Sequence, residues 1–394
     1  MDMLELAARD NRIVTHMDLD TFFVSVERLK NPKLNGLPVV VGGSSDRAVV
    51  ASCSYEARKY GIHSAMPVKM ARQLCPDAVF VRGDMDEYSR YSRLVTDIIA
   101  EAAPIYEKRS IDEFYLDLTG MDRFYDAYRW ACELRQRIVR ETGLPISMGY
   151  SVNKTVAKIA TGEAKPAGYL RVERGSERPF LAPLPVQRIP GVGQKMQNTL
   201  YELGIRRIAT LQQMPARLIE HTFGANGLDV WKKAHGIDPS PVEPYSEAKS
   251  MGSEQTFERD TIDHQAVKRL LAGMTEELAQ QLRNRKRMTG CVTVKVRYST
   301  FETVSRQQII GYTQADHKLI PVVHSLFDRL YDRRLRIRLV GVKFSKLIHG
   351  VCQLDLFDEQ EEHLQRLYSA LDRLNARWGT RVVGRTNSVL GVRL

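Results

Sequence analysis

Two apolar, strand-like stretches that end in carboxylates constrain this chain more than any other feature. The stretch 109–118 places Asp112 and Glu113 side by side, and the stretch 13–20 brings Asp18 to the end of a similar run. A buried and unpaired charge in such a run would cost several kcal/mol. Neighbouring side chains on a regular strand point to opposite faces, so Asp112 and Glu113 can share one site only if the backbone turns or bulges there.

If the two strands are neighbours in a sheet, the three carboxylates form one acidic cluster. Clustered carboxylates with few basic residues beside them predict a site for Mg²⁺, a hard cation that prefers oxygen ligands. The alternative is a hairpin whose acidic residues face solvent, and that arrangement needs no ion.

The net charge of the chain indicates a polyanionic partner. At 394 residues the chain can hold about two to four domains, and its net charge of +11 favours nucleic acid. No apolar run approaches the roughly 18 residues of a membrane helix, and the acidic N-terminus is unlike a signal peptide. The five cysteines form no CxxC motif, which predicts a reducing, cytoplasmic location without a zinc site.

The first half of the chain alternates between strand and helix patterns. Strands are predicted at 13–19, 37–41, 48–51 and 145–151, and helices at 21–29, 67–75, 88–103, 123–141 and 153–164. We expect Asp20 or Thr21 to cap the first helix. Tyr55 and Arg58 fall on one face of a further helix, where they could bind a phosphate or form an ordinary surface pair. This order, with an insertion after the first helix, predicts a split βαβ sheet.

Beyond residue 178 the pattern becomes that of modules that bind a phosphate backbone. The segment 189–205 is typical of a helix–hairpin–helix, in which Gly191 and Gly193 let backbone N–H groups approach a phosphate without reading bases. Lys195 begins the helix that follows. The proline-rich segment 238–244 predicts an interdomain linker.

The last third predicts a sheet with one apolar and one basic face. A helix is expected at 265–287, followed by alternating strands at 291–298 and 335–339, with a bulge at Gly341. The basic face would carry Lys295, Arg297, Arg336 and Arg338. Such a face can lie against DNA, although a merely solvated face is the alternative. A terminal helix is predicted at about 360–377.

Six motifs together resemble the Y-family DNA polymerases, and most closely their bacterial DinB, or DNA polymerase IV, branch. In chain order they begin at Met17 (MDLDTFF), Ser54 (SYEARKYG), Ser110 (SIDE), Ser151 (SVNK), Ala164 (AKP) and Pro190 (PGVG). The resemblance runs from about residue 13 to about residue 348.

The resemblance implies an α+β multidomain fold shaped like a right hand. The expected domains are the palm at 1–29 and 86–177, small fingers at 30–85, a helix–hairpin–helix thumb at 178–236, a linker at 237–250, an α+β little finger at 251–350, and a tail at 351–394. The fingers are too small to enclose the incoming base pair, so low fidelity and translesion synthesis are expected. These domains leave no room for a proofreading exonuclease.

The resemblance also implies the roles of individual residues. Asp18 and Asp112 would bridge two Mg²⁺, the Leu19 carbonyl would add a ligand, and Glu113 would complete the catalytic site. The expected nucleotide contacts are Ser52, Tyr55, Arg58 and Lys165, with Phe23 as the steric gate against ribonucleotides and Phe22 beside it. Ser52 stands where the family often has Thr. The implied substrates are primer–template DNA and a dNTP, and the implied state is a monomer.

The segment Gln353-Leu354-Asp355-Leu356-Phe357 resembles the peptide that docks in the bacterial sliding clamp. Gln353 would make the polar contact, and Leu356 and Phe357 would enter an apolar pocket. The alternative is an edge strand or loop packed on the little finger.

Two other functions fit parts of the pattern. A catalytically inactive DinB-like accessory protein would bind DNA, but it would be expected to lack the metal-binding acids. A nucleotidyl cyclase could use the same acids, but it would have no duplex for a basic sheet to hold.

Overall fold

The computed structural model describes residues 12–45, 47–124, 126–244, 247–331, 335–350 and 359–378. The chain divides into two compact units at residues 246 and 247, a boundary that falls inside the predicted linker. Among the described residues, no helix has the length and apolar character needed to cross a membrane.

The first unit combines two sheets with a set of helices. Its strands are β1 (Val14–Leu19), β2 (Val39–Gly42), β3 (Val50–Cys53), β4 (Val79–Arg82), β5 (Ile105–Lys108), β6 (Glu113–Asp117), β7 (Ile146–Ser151) and β8 (Tyr169–Arg171). Its helices are α1 (Phe22–Lys30), α2 (Tyr55–Arg58), α3 (Val68–Leu74), α4 (Met85–Ala102), α5 (Ala127–Thr142), α6 (Lys154–Ala164), α7 (Glu177–Leu181), α8 (Gln194–Glu202), α9 (Ile208–Gln213) and α10 (Ala216–Ala234).

Strand β1 lies at the centre of a five-stranded sheet with the order β5-β6-β1-β7-β8. It pairs antiparallel with both β6 and β7. Every residue of β1 is buried except Asp18, because the strand lies between two others and beneath helices. Met17 and Leu19 enter the main core together with Phe114 and Met148. A central strand of this kind explains the nearly continuous apolar run in the sequence.

The backbone turns where the acidic pair requires it to turn. β5 and β6 form a hairpin, and the amide of Arg109 donates to the carbonyl of Glu113 at 2.9 Å. Asp112 lies in the connecting loop, whereas Glu113 is the first residue of β6. The predicted turn at this position is therefore confirmed.

The insertion after α1 is a small three-stranded sheet with the order β3-β2-β4. β2 and β3 are the predicted hairpin, but β4, which pairs parallel to β2, was missing from the prediction. The cap prediction for α1 was wrong. Thr21 occupies the N-cap position with φ 42° and makes no side-chain cap, and the Asp20 side chain turns away to other partners.

Helices α7 to α10 form the predicted helical module, and their core also includes Val156, Ile159 and Ala160 of α6. Gly193 is the N-cap of α8, and Gly191 has φ 106°, a backbone conformation that favours glycine. The segment after α10 is fixed to the first unit rather than free. The Arg12 guanidinium donates to the Ser240 carbonyl at 2.6 Å, and Val242 is 6% exposed.

In its described part, the second unit is a four-stranded sheet packed against helices. Its elements are β9 (Ser250–Thr261), α11 (His264–Asn284), β10 (Arg287–Tyr298), β11 (Thr303–Thr313), α12 (Asp316–Leu330), β12 (Ile337–His349) and α13 (Glu359–Trp378). The strand order is β11-β10-β12-β9. As predicted, Val292, Val294 and Val296 enter the core, where they meet apolar residues of α11 and α12.

Two details of the second unit differ from the prediction. The helix expected at 265–287 ends at Asn284, because Lys286 has φ 51° and Arg287 already begins β10. Arg283, near the end of this helix, has a structural role. Arg283 is 13% exposed and lies 2.7 Å from Asp372, so it holds α13 on the unit.

The second difference concerns the bulge. No register shift occurs at Gly341; the irregularity in β12 lies between Ile337 and Leu339. Gly341 has a different role, because a Cβ there would come within 2.7 Å of the Glu254 side chain. Its missing side chain leaves room for Glu254 to reach Lys295 across β12.

Candidate active site

The paired strands bring Asp18 and Glu113 directly opposite each other. Their carboxylate oxygens and a ring nitrogen of His16 all lie within 4.8 Å of one another. The Asp18 side chain is 23% exposed and that of Glu113 is 14% exposed, so both are largely shielded from water. The two strands therefore build an acidic cluster that still opens to solvent.

Asp112 stands beside this cluster but does not belong to that close group. Its carboxylate accepts a hydrogen bond from Ser110 Oγ at 2.5 Å and so folds back on its own loop. Its amide donates to Ser110 Oγ at 3.3 Å, and its carbonyl accepts from the Leu19 amide at 3.0 Å. Leu19 itself is 1% exposed. The predicted set of Asp18, Asp112 and Glu113 is thus only partly assembled.

Each of the two close carboxylates has a lysine partner. Lys165 Nζ lies 2.5 Å from Asp18 Oδ1, and Lys158 contacts Glu113 Oε1. Burial raises the pKa of Asp18 even though Lys165 acts in the opposite direction. Burial would also raise the pKa of Glu113, but the contacts with His16 and Lys158 outweigh it and lower the pKa to about 2. Glu113 is therefore ionised near neutral pH, and each of the two carboxylates is paired with a lysine.

His16 is a buried residue that contacts the cluster through Glu113. It is 1% exposed, with Nε2 at 2.8 Å from Glu113 Oε1 and Nδ1 at 2.8 Å from Thr161 Oγ1. Burial lowers its pKa, which favours the neutral ring. An ionised Glu113 can only accept, so the neutral ring carries its proton on Nε2 and accepts from Thr161. Both ring nitrogens are engaged, and the ring orients Glu113.

Asp20 is buried next to the cluster and joins several segments. It is 1% exposed and accepts hydrogen bonds from Tyr55 Oη at 3.1 Å, Ser147 Oγ at 2.7 Å and the Ala167 amide at 2.7 Å. Lys165 Nζ lies 3.8 Å from the same carboxylate. Burial, followed by the charge of Asp20, raises the pKa of Tyr55, so its hydroxyl keeps its proton.

The other predicted nucleotide contacts lie on the insertion that carries the small sheet, on β3 and α2. Tyr55 begins α2 and Arg58 ends it, and the Arg58 guanidinium carbon lies 5.0 Å from the centre of the Tyr55 ring. This contact confirms that the two residues share a face. Arg58 is exposed, and Ser52 is half-buried on β3.

The two aromatic residues of α1 have different surroundings. Phe22 is 2% exposed and belongs to the main core. Phe23 is half-buried and stacks on Tyr88, with ring centres 4.2 Å apart and planes 12° apart. Only Phe23 therefore presents part of its ring to the surface.

The predicted DNA-contact residues remain accessible. Gly191, Gly193 and Lys195 are exposed at the start of α8. On the second unit, Arg336 is exposed and the Arg338 guanidinium lies 4.6 Å from the centre of the Phe301 ring. The remaining two are already engaged: Lys295 contacts Glu254, and Arg297 Nε donates to Thr303 Oγ1 at 2.8 Å. The basic face thus includes an acid from β9, a strand missing from the prediction. The predicted clamp peptide at Gln353–Phe357 lies outside the described residues.

Comparisons with known proteins agree with this geometry. The sequence profile of the impB/mucB/samB family matches residues 17–162, that of its C-terminal domain matches 248–356, and that of the IMS family HHH motif matches 174–205. The chain is 38% identical to "DNA polymerase IV" of Dehalococcoides mccartyi, over 93% of this chain and 95% of that protein. The chain belongs to the Y family of DNA polymerases. It is a translesion DNA polymerase, as its motifs predict.

Two further relatives support the same assignment. The chain is 36% identical to "DNA polymerase IV" of Treponema denticola, over 90% of this chain and 91% of that protein. A solved chimera of the Y-family polymerases Dbh and Dpo4 superposes with a TM-score of 0.78 at 28% identity, covering 86% of this chain and all of the chimera. These matches confirm the predicted right-hand α+β fold class of this polymerase.

Four supporting residues were missing from the sequence-based site: His16, Asp20, Ser147 and Thr161. His16 could have been found, because it lies two positions before Asp18 on a strand and therefore shares its face. The partners of Lys158 and Lys165 could not have been found, because each lysine reaches an acid far away in the chain.

Proposed function

We propose that this polymerase adds a dNTP to a primer 3′-hydroxyl with two Mg²⁺ held by Asp18, Asp112 and Glu113, and with the Leu19 carbonyl as a further ligand. The observation that supports it most is the pairing of Asp18 with Glu113 across β1 and β6. Asp112 would join them by turning its carboxylate away from Ser110.

The residues present fit hard divalent cations. The available ligands are carboxylate and carbonyl oxygens. Burial raises the pKa of Asp18 because it disfavours the charged carboxylate, and a bound cation would stabilise that charge. His16 fits a supporting role better than a ligand role, since Glu113 and Thr161 occupy its two nitrogens. Two such cations would activate the attacking hydroxyl and stabilise the charge on the pyrophosphate leaving group.

The nucleotide would be held by this chain's own side chains. Tyr55, Arg58 and Lys165 would contact the triphosphate, and the hydroxyl of Ser52 would add a hydrogen bond. Arg58 is exposed and free to turn its fork toward phosphate oxygens. Lys165 would leave Asp18 and bind a phosphate oxygen of the nucleotide. The Asp18 carboxylate, which Lys165 now neutralises, would then be available to a metal ion.

The deoxyribose would be selected by Phe23. Its half-buried ring is braced by Tyr88, and a braced ring cannot yield to an added 2′-hydroxyl. Phe22 would support this position from the core, where its burial places it.

The primer–template duplex would be bound through its phosphates. Backbone amides near Gly191 and Gly193, together with Lys195, would hold one strand in the thumb. The little finger would add Lys295, Arg297, Arg336 and Arg338. These contacts ignore base identity, which suits an enzyme that accepts damaged templates.

The partners and location complete the proposal. The enzyme would work as a cytoplasmic monomer that the bacterial sliding clamp recruits through Gln353, Leu354, Leu356 and Phe357. A short peptide binds modestly by itself, but tethering raises the local concentration of polymerase at the primer end. The four cysteines in the described residues are all free, as a reducing location requires.

Primer extension with divalent metal tests the proposal. Glu113→Gln or Asp112→Asn should lower kcat by orders of magnitude, because an essential metal ligand is lost, while DNA affinity changes little. Asp117→Asn is the matched control, because Asp117 lies at the other end of β6 and should tolerate the change.

Near wild-type extension by the Glu113 or Asp112 variant would contradict the metal assignment. A wild-type protein that binds primer–template DNA but never extends it would instead be the inactive accessory protein.

A further inference from the structure

Asp20 occupies a position that the proposed chemistry does not yet use. It follows the metal-site residues Asp18 and Leu19, but it lies outside the close group of Asp18, Glu113 and His16 and is 1% exposed. A carboxylate so deeply buried cannot touch a nucleotide or a metal ion in the open part of the site. Its function must therefore act through the groups that it contacts.

Those contacts join three separate segments. On Oδ1, Asp20 accepts from Tyr55 Oη at 3.1 Å, and Lys165 Nζ lies 3.8 Å away. On Oδ2, it accepts from Ser147 Oγ and from the Ala167 amide, both at 2.7 Å. One oxygen thus faces the nucleotide contacts, and the other is anchored in the sheet and in the loop after α6.

The position is fixed by the backbone as well. The Asp20 amide donates to the Pro145 carbonyl at 2.9 Å, and the Asp20 carbonyl accepts from Ser25 Oγ at 2.7 Å. Arg58 is linked to Asp20 indirectly, because its guanidinium stacks over the ring of Tyr55. All three proposed triphosphate contacts thus lie within one or two contacts of a single buried carboxylate.

We infer that Asp20 is a positioning residue that sets the distance between Tyr55 of α2 and Lys165 of the loop after α6. This inference rests on the proposed function, in which both residues contact the triphosphate. Asp20 also holds the Tyr55 hydroxyl while no nucleotide is bound. It thereby prepares a binding site whose two halves come from different parts of the chain.

The variant Asp20→Asn tests this with little change in shape. Ser147 and Tyr55 can rotate their hydroxyls to accept, but the Ala167 N–H and the Lys165 ammonium cannot. The amide oxygen of the new side chain should therefore keep the position of Oδ2, where it accepts from the Ala167 amide. Its NH₂ group then takes the position of Oδ1, next to Tyr55 and Lys165. We expect KM for the dNTP to rise about tenfold, with a smaller change in kcat.

Two companion variants make the result specific. Ser147→Ala removes a partner from the anchored oxygen and should leave KM for the dNTP within about twofold. The double variant Asp20→Asn with Tyr55→Phe should raise KM hardly more than the single variant with the larger effect. Both changes disrupt the same contact between Asp20 and Tyr55, so their effects should not add.

The outcomes are distinguishable. An unchanged KM in Asp20→Asn, or a double variant whose effects multiply, overturns the inference. A thermal unfolding midpoint that falls while KM stays constant makes Asp20 merely structural and also overturns it. Failure of the proposed function would look different, since the Glu113 variant would then keep its activity. If Asp20→Asn does not fold, Asp20→Ser, whose side chain is too short to join Tyr55 to Ala167, carries the same expectation for KM.

Discussion

Replacing Lys165 by Met should have opposite effects on two ligands of the same site. Lys165 Nζ lies 2.5 Å from Asp18 Oδ1, so a divalent ion that binds Asp18 must first displace the lysine. The variant lacks this competitor and should bind the ion more tightly without nucleotide. It also lacks a proposed phosphate contact and should bind the dNTP more weakly.

The size of the first effect follows from the exposure of the pair. The side chains of Lys165 and Asp18 are 24% and 23% exposed, between a surface pair and a buried one. After allowance for solvent screening, such a pair is worth about 1 to 2 kcal/mol. The affinity for the ion should therefore rise roughly 5- to 30-fold. Loss of the phosphate contact should raise KM for the dNTP about tenfold or more.

The ion affinity is measured with Mn²⁺ as a probe, by titrating the nucleotide-free protein at pH 7.5 and following free Mn²⁺ by electron paramagnetic resonance. The gain should shrink as the pH is lowered, because burial raises the pKa of Asp18 and the lysine that opposes this rise is gone. Lys30→Met is the matched control. Lys30 Nζ lies 3.1 Å from Asp84 Oδ2, and neither residue belongs to the acidic cluster.

Weaker or unchanged Mn²⁺ binding in Lys165→Met would refute the competition between lysine and metal. An unchanged KM for the dNTP would remove Lys165 from the triphosphate site and would leave the metal argument standing.

The remaining predictions concern sugar choice, DNA binding, the clamp and acid stability. Phe23→Ala should raise the ratio of rNTP to dNTP use in single-nucleotide extension by an order of magnitude or more; an unchanged ratio would make the ring merely structural. Glu254→Gln should free its lysine partner and steepen the log–log dependence of DNA affinity on salt by up to about one unit, while an unaltered slope would place DNA elsewhere. Leu356→Ala with Phe357→Ala should preserve distributive synthesis and remove stimulation by a loaded clamp, and full stimulation would contradict the peptide's role. Because the pKa of Glu113 is lowered to about 2 in the fold, its ionised form stabilises the protein above about pH 4.5. That stabilisation fades as the pH falls toward 2, so Glu113→Gln should make urea unfolding of the metal-free protein less acid-sensitive; equal acid sensitivity would argue against the pairing.

The acidic core of the site could be predicted because its causes are local. Two apolar runs that end in acids must be covered on both faces, and the adjacent pair at 112 and 113 demands a turn. The structure has both the neighbouring strands and the hairpin. Tyr55 and Arg58 share a face for an equally local reason, the period of a helix.

The supporting contacts could not be predicted because they depend on distant parts of the chain. Asp20 would share a face with Asp18 if the strand continued, but β1 ends at Leu19 and Thr21 adopts φ 42°. That turn redirects Asp20 toward Ser147 and Ala167, more than a hundred residues away. The role of Gly341 was hidden for the same reason, because Glu254 lies on a strand that the sequence pattern did not reveal.

The lysine pairs explain how the acidic cluster can exist before any metal ion binds. The carboxylates of Asp18 and Glu113 repel each other, and burial adds to the free-energy cost of their charges. Without counter-ions, one carboxylate would take up a proton or the two strands would separate at this end. Lys165 and Lys158 remove that cost from two different positions in the chain. If Lys165 also binds the triphosphate, the nucleotide draws it away from Asp18 and thereby favours the ion there. By linkage the ion must then favour the nucleotide to the same degree, because the two binding free energies share one coupling term. Cooperative binding of metal and dNTP would thus arise from a single lysine that has two partners and can satisfy only one of them at a time.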